Sequence, residues 1–404
     1  MRRYRYVKAI IVIVILTITI TGCMQKGEKA RKTLTIGVEE GVEEDYKGIE
    51  LLIEGFKKSH NEYDVIVKTE KDLNGVKEDI INKHFDVIVS SRKTFLRFNE
   101  QGLTKELTSY FNQNKAQGKF YNITYSYGKI GEKLFGMGMF PYSLEFVYNK
   151  LEIPKELAEV NDLESLKAFI KKSDIKIPVI LPEDNNINLA ISSIVYNNII
   201  KQNSLLDVYD TEKSEYLQVF DISEMFKELN MLVTEYRMNE ERFFCADKDA
   251  LDKVNNGEFP IALITNRAGE NNQYDQLESL SGVNVNGYKV TPPIVINYII
   301  YAASSSENIE GINKFFDYLL KDDTYYPLVK SGLLTGNKVA DSSSTGLNSM
   351  LLRTISQGGI DNIPYYINLP NKFINPLEKQ IQNVLKGRFL GEEWQNAVDE
   401  AFSQ

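Results

Sequence analysis

The chain has 404 residues, with 47 basic against 56 acidic side chains, a formal charge of −9, and 43% hydrophobic residues. An acidic balance of this kind argues against a nucleic-acid partner, because phosphate recognition needs clustered Lys and Arg. Two cysteines and two histidines do not make a disulfide-stapled scaffold or a His/Cys zinc site, so stability must come from burial.

Arg2, Arg3, Arg5 and Lys8 precede an apolar run, Ala9 to Ile20, which closes on Thr21, Gly22 and Cys23. Charge, apolar core and small residues in that order describe a secretory signal peptide, and about twelve apolar residues fall short of the roughly twenty that span a bilayer. Ile20, Thr21, Gly22 and Cys23 resemble the lipobox of bacterial lipoproteins. That resemblance implies removal of residues 1–22, a diacylglycerol on the Cys23 thiol and a flexible stalk over 23–32. A plain N-terminal membrane anchor is the alternative, and in either case the rest of the chain works outside the cytoplasm, on the outer face of the cell membrane. Loss of the leader leaves 43 basic residues against 56 acidic, a balance of −13. Such a body repels an anionic bilayer, so the lipid tethers it without gluing it down. Cys245 is then the single cysteine without a lipid, and about 380 residues supply two hydrophobic cores more readily than one.

From Thr33 the pattern alternates. Leu34 to Val38 reads as a strand, and Ile49, Leu52, Ile53 and Phe56 fall on one helix face after the acidic loop Glu39 to Asp45. Tyr63 to Lys68 is a second strand, Leu73, Val76, Ile80 and Ile81 mark a helix, and Phe85 to Val89 is a strand apolar enough to be buried on both faces. This βαβ order predicts a parallel sheet, whose strand carboxyl ends put Glu39, Glu40 and Ser90 to Arg92 on one rim. Helical turns follow around Phe95 to Phe98, stopped by Gly102. Leu134 to Lys150, LFGMGMFPYSLEFVYNK, is two apolar strand halves broken by glycines and a proline, and reads as a crossover between lobes. The pattern then restarts with a helix over Leu163 to Ile170, a strand over Ile177 to Leu181, a polar turn over Pro182 to Asn188 and a helix over Leu189 to Ile200. Met225 to Tyr236 is another helix and Phe259 to Thr265 a strand, while Tyr288 to Ala303, bent at Pro292 and Pro293, reads as the return crossing. Glu307, following three serines, opens a helix with Ile312, Phe315, Phe316 and Leu319 on its core face, and Asp341 to Gly346 is a serine-rich loop. The chain ends with helices over Ile374 to Lys386 and Gly391 to Phe402, the latter burying Trp394 and Val398.

No phosphate-cradling Gly-x-x-x-x-Gly-Lys and no Gly-x-Ser-x-Gly elbow occurs, and His60 and His84 have no second ligand at metal spacing. Adjacent acids such as Glu392 and Glu393 read as solvated helix starts.

FKKSHNEYDVIV (Phe56 to Val67), HFDVIVSS (His84 to Ser91), EQGLTKELTSY (Glu100 to Tyr110), GEKLFGMGMFPYSLEFVYNK (Gly131 to Lys150) and NNGEFPIALITNRAGE (Asn255 to Glu270) together resemble the maltose-binding type of extracellular solute-binding protein that feeds ABC importers. The resemblance spans the chain after the leader. It implies an α/β, two-lobed periplasmic-binding-protein-like fold of type II, each lobe a mainly parallel sheet flanked by helices. Lobe 1 would take residues 33–144 plus 296–340, and lobe 2 residues 145–295 plus 341–404. It further implies a monomeric receptor and no enzyme, with no cofactor, holding a mono- or oligosaccharide in the cleft and presenting it to a permease. The cleft residues carried over are Glu39, Glu40, Ser91, Arg92, Tyr142, Glu145, Asn185, Asn186, Asn266, Arg267, Tyr365 and Tyr366. Polar groups would hold hydroxyls, and tyrosines would offer flat faces.

The chain departs from the family in one respect. Sugar receptors of this kind stack rings on tryptophan, and the single tryptophan, Trp394, falls on a helix face facing the core. Twenty-three tyrosines can substitute, while Arg92 or Arg267 would suit a carboxylate or phosphate, which leaves peptides and anions open. A surface hydrolase on the same outline and a partner-binding lipoprotein without a transport ligand are the competing readings.

Overall fold

The structure, a computed structural model, describes residues 31–41, 43–70, 84–149, 176–181, 186–196, 199–246, 249–267, 274, 276–279, 284–285, 288–289 and 292–403. The lipobox with Cys23, the helix expected over Leu73 to Ile81, the helix expected over Leu163 to Ile170 and Asn185 lie outside these residues.

In chain order the elements that position the site are β1 (Lys32–Glu39), α1 (Glu43–Ser59), β2 (Tyr63–Glu70), β3 (Val87–Ser90), α2 (Arg92–Glu100), β4 (Gly136–Met139), β5 (Tyr142–Asn149), β6 (Ile177–Ile180), α3 (Ile187–Tyr196) and α4 (Phe220–Tyr236). They continue with β7 (Phe243–Cys245), β8 (Ala262–Thr265), β9 (Leu277–Ser279), β10 (Ile294–Val295), β11 (Tyr298–Ala302), α5 (Ile309–Leu319), α6 (Gly346–Gln357), α7 (Ile374–Leu385) and α8 (Glu393–Ala401).

Two sheets result. The first has the order β2-β1-β3-β11-β4, and the second runs β9-β5-β8-β6-β7 with β10 also on β5. The β1–β2, β1–β3, β8–β6 and β6–β7 pairings are parallel, as the βαβ pattern predicts. The crossing strands add antiparallel pairs, β11 with β3 and β4 and β5 with β8, so each sheet is mixed. The reason is topological: a chain that leaves a sheet through one strand and re-enters through another runs the second way on return. The two crossings read from the sequence are present. The chain leaves the first sheet at Met139 and joins the second at Tyr142, then leaves the second at Val295 and rejoins the first at Tyr298.

Strand alternation gives each sheet two buried faces. Val87, Val89, Ile300 and Ala302 of the first sheet pack with Ile49, Leu52 and Phe56 of α1 and with Phe315 and Phe316 of α5. Their neighbours Ile88, Ile299 and Tyr301 point the other way, onto Phe95, Phe98 and Tyr127. In the second sheet Phe146, Val179 and Leu263 face Met225, Phe226 and Leu229 of α4 and Leu377 and Ile381 of α7. Val147, Ala262 and Ile264 face Leu251, Val254 and Leu347.

Some boundaries shift for local reasons. The helix after the three serines is capped by Asn308, whose side chain accepts the Gly311 N–H at 3.1 Å, while the Ser306 hydroxyl donates to Asp86 at 2.6 Å and accepts the Asn308 N–H at 3.1 Å. The strand expected from Phe259 starts at Ala262. Trp394 is buried as expected: its indole N–H donates to the Tyr216 carbonyl at 2.9 Å and its ring stacks on Phe373 at 5.6 Å.

Removing that ring leaves a void among well-packed neighbours, so Trp394→Ala is expected to lower unfolding free energy by about 3–5 kcal/mol in a denaturant titration followed by circular dichroism. A loss below about 1 kcal/mol would show that the second core does not depend on it.

Candidate functional site

The carboxyl ends of β1 and β3 and both crossings border one cavity of about 470 Å³. That lies within the roughly 300–1,000 Å³ common for small-molecule sites. From the first sheet come Glu39, Glu40 and Gly41 after β1, and Ser91, Arg92 and Lys93 after β3. The crossings give Tyr142, Asn297 and Tyr298, and the second half supplies Asn186, Leu189, Tyr366, Asn371 and Ile374.

One of the two acids on this cavity is already committed. Glu39 accepts the Ser91 N–H at 2.7 Å and the Thr94 hydroxyl at 2.8 Å, fixing the start of α2, where a carboxylate meets the helix dipole. Ser91 is the N-cap of that helix. Asn186 caps α3 by accepting the Asn188 N–H at 2.9 Å and the Leu189 N–H at 3.2 Å. Glu40 stays exposed at the rim.

Asp45, in the first turns of α1, is fully buried and pairs with Arg267, just past β8, at 2.7 Å. The same guanidinium donates to the Phe140 carbonyl at 2.7 Å and lies 4.4 Å from the Tyr142 ring centre, while Asn297 donates to Asp45 at 2.8 Å. One ion pair thus ties α1 of the first half to β8 of the second, with partners on both crossings. Phe140 itself takes a φ of +61°, a left-handed conformation that is strained for a bulky side chain by roughly 1–3 kcal/mol. Its ring sits where a side chain on Gly48 would come within 2.6 Å, and its carbonyl is held by Arg267.

Arg92 is different. It is 1% exposed, and its Nε donates to Asn368 at 2.6 Å and its Nη1 to the Tyr127 carbonyl. Its Nη2 has no partner among the described residues. Burial pushes its pKa down to about 10, and that of Lys93 down to about 8. The Tyr298 hydroxyl is also buried without a hydrogen-bond partner among the described residues. Burial, with Asp45 and Glu39 nearby, raises its pKa, so it stays a neutral donor and acceptor. Gly41 makes room for it, since a side chain there would meet the hydroxyl at 2.6 Å.

Of the residues expected in a cleft, the structure brings together Glu39, Glu40, Ser91, Arg92, Tyr142, Asn186 and Tyr366 on this cavity. Four sit elsewhere. Glu145 is three positions along β5 from Tyr142, an odd offset that turns it to the opposite face, where the Ser143 and Ser279 hydroxyls donate to it. Asn266 accepts the Ser143 N–H at 3.2 Å and donates to Asn348 at 3.0 Å, Arg267 is held by Asp45, and Tyr365 is buried against the Ser192 hydroxyl at 2.9 Å. Lys93, Asn297, Tyr298 and Asn371 were not foreseen. Lys93 follows Arg92 directly, and Asn297 and Tyr298 lie in the return crossing, which mirrors the first and gave the readable signal for both.

A second cavity of about 600 Å³ is walled by β9 and the chain entering α6, including Ser279, Ser344, Thr345 and Arg353. It takes nothing from the crossings.

No protein-family model matches the chain, and no curated protein matches its sequence. Solved structures do. A probable secreted solute-binding lipoprotein from Streptomyces coelicolor is similar over 93% of this chain and 100% of its own, at 13% identity and a TM-score of 0.67. The bacterial solute receptor AcbH, described with an exclusive preference for β-D-galactopyranose, is similar over 93% and 98%, at 14% identity and a TM-score of 0.70. A cyclo/maltodextrin-binding protein complexed with maltotetraose is similar over 94% and 98%, at 14% identity and a TM-score of 0.63. The chain has the two-lobed fold of these solute-binding proteins.

Breaking a buried ion pair from one side leaves a stranded charge, so Arg267→Met alone is expected to lower stability by about 3–5 kcal/mol, and Asp45→Asn with Arg267→Met to recover part of that loss. Chemical denaturation of the single and double variants checks it. Additive losses would mean that the two groups do not act as a pair.

Proposed function

We propose that the chain is an extracellular receptor that captures a small polar solute, a saccharide, between its two halves and hands it to an ABC importer, with Cys23 carrying the lipid that moors it to the outer face of the cell membrane. The Tyr298 hydroxyl is the observation that supports this most directly. A buried phenol without a partner is disfavoured unless something satisfies it, and this one belongs to the crossing strand that borders the cavity. Tyr142 and Tyr366 add aromatic surface and Asn297 and Asn371 amide groups, a lining suited to a molecule with apolar ring faces and hydroxyl edges.

The solved structures support the reading through their own ligands, maltotetraose and β-D-galactopyranose. Tyrosine takes the part of tryptophan here, since Trp394 packs in the second core. A solute that touches both halves favours the arrangement in which they meet, which is how such a protein presents a loaded form to a membrane partner. Glu39 and Asp45 are engaged in capping and pairing, which leaves Glu40 as the one exposed acid on the lining among the described residues and favours binding groups over a hydrolytic carboxylate pair.

A thermal-shift screen of mono- and oligosaccharides is expected to give at least one ligand that raises the melting point with concentration. Tyr298→Phe is expected to weaken that ligand by about tenfold, the equivalent of one lost hydrogen bond of roughly 1.4 kcal/mol, without lowering the melting point of the empty protein. Absence of any response across the screen would contradict saccharide capture.

A further inference from the structure

The described residues place two cations on the cavity, and neither forms an ion pair with the carboxylates Glu39 and Glu40 that share its wall. Arg92 is all but fully buried, forms no ion pair among the described residues, and has neutral partners: the Asn368 amide oxygen, the Ser126 and Tyr127 carbonyls and the face of the Tyr127 ring at 5.5 Å. Lys93 beside it is half-buried and forms no ion pair among the described residues. Both belong to the first turn of α2, a nine-residue helix whose first turn carries no acid.

Neither carboxylate on the same wall pairs with these cations. Glu39 already accepts the Ser91 N–H and the Thr94 hydroxyl, and Glu40 is solvent-exposed. Arg267, the other cation near the crossings, has Asp45. A buried guanidinium without a counterion is costly, by several kcal/mol, and the penalty is relieved when an anion arrives. Its Nη2 remains without a hydrogen-bond partner, and guanidinium donors bond carboxylate and phosphate oxygens in the strong, charge-assisted way.

From this arrangement we infer that the natural solute is acidic: a saccharide bearing an anionic oxygen group, a uronate or a sugar phosphate, whose charge is met by Arg92 and Lys93 at the start of α2 while its hydroxyls reach Tyr298. The inference rests on the saccharide reading of the cavity and narrows it. Burial that lowers the Lys93 pKa to about 8 fits a site completed by its ligand, because an anion would restore the charged form.

Isothermal titration of the full-length chain in detergent with matched pairs tests it: galacturonate against galactose, and glucose 6-phosphate against glucose. At least one acidic member is expected to bind about tenfold or more tighter than its neutral partner, the scale of one charge-assisted hydrogen bond. Lys93→Gln is expected to remove most of that preference, read as the ratio of acidic to neutral affinity in the same variant, while leaving the melting point of the empty protein unchanged. Arg92→Lys, which keeps the charge and loses the planar fork, should weaken the acidic ligand as well. Preference for a uronate identifies a carboxylate solute, and preference for glucose 6-phosphate a phosphorylated one. Tight binding of a neutral sugar with no gain from the acid, or an acidic preference untouched by Lys93→Gln, overturns this inference and leaves saccharide capture standing. Failure of every saccharide, neutral and acidic, overturns saccharide capture itself.

Discussion

The relation between the two halves depends on one buried ion pair. Asp45 stands in the first turns of α1 and Arg267 just beyond β8, and where they meet the Asp45 side chain is fully buried and that of Arg267 nearly so. Two desolvated charges need further hydrogen bonds to be favourable, and here Arg267 donates to the Phe140 carbonyl and Asn297 donates to Asp45. Phe140 and Asn297, which supply those bonds, are themselves the points where the chain passes between the sheets. The left-handed Phe140 makes sense in this setting, since its strain is held from outside by the Arg267 fork and by the space left at Gly48. With the crossings pinned in this way, the cavity wall formed by Tyr142, Asn297 and Tyr298 has a defined shape.

A division of labour among charges follows. Acids near the strand ends serve the frame: Glu39 orders the start of α2, and Asp45 neutralises Arg267. Cations are not all used in that way. Arg92 and Lys93 keep their charge in a partly dry place, Arg92 with amide and carbonyl oxygens and an aromatic face for company. A frame could be built more cheaply with neutral residues at those positions, so their presence is best understood through what enters the cavity. Surface ion pairs such as Lys32 with Glu310 and Lys47 with Glu43 are exposed and contribute little to either task.

Much of the frame was legible in the residues. Leu34, Ile36 and Val38 alternate, Ile49, Leu52, Ile53 and Phe56 keep helical spacing, and GMGMFPYSLEFVYN shows an apolar chain broken where it changes sheets. Half of the site was legible for the same reason, since loops after parallel strands gather at one rim. The remainder was not. Periodicity does not reveal which arginine meets an acid, so Arg92 and Arg267 looked alike until Asp45 was seen to take one of them. Glu145 was misplaced because its position on a crossing was read without its alternation relative to Tyr142. Tyr298 was passed over among many tyrosines, because its lack of a partner is a property of packing that no local pattern records.

The most direct measurement is a crystal structure grown with the tightest-binding saccharide from the titrations. The solute is expected between the two halves, with an oxygen within about 3 Å of the Tyr298 hydroxyl and its anionic group within the same distance of Arg92 Nη2 or Lys93 Nζ. Density for the solute in the second cavity, between β9 and the start of α6, with the space around Tyr298 left to water, would contradict capture between the halves.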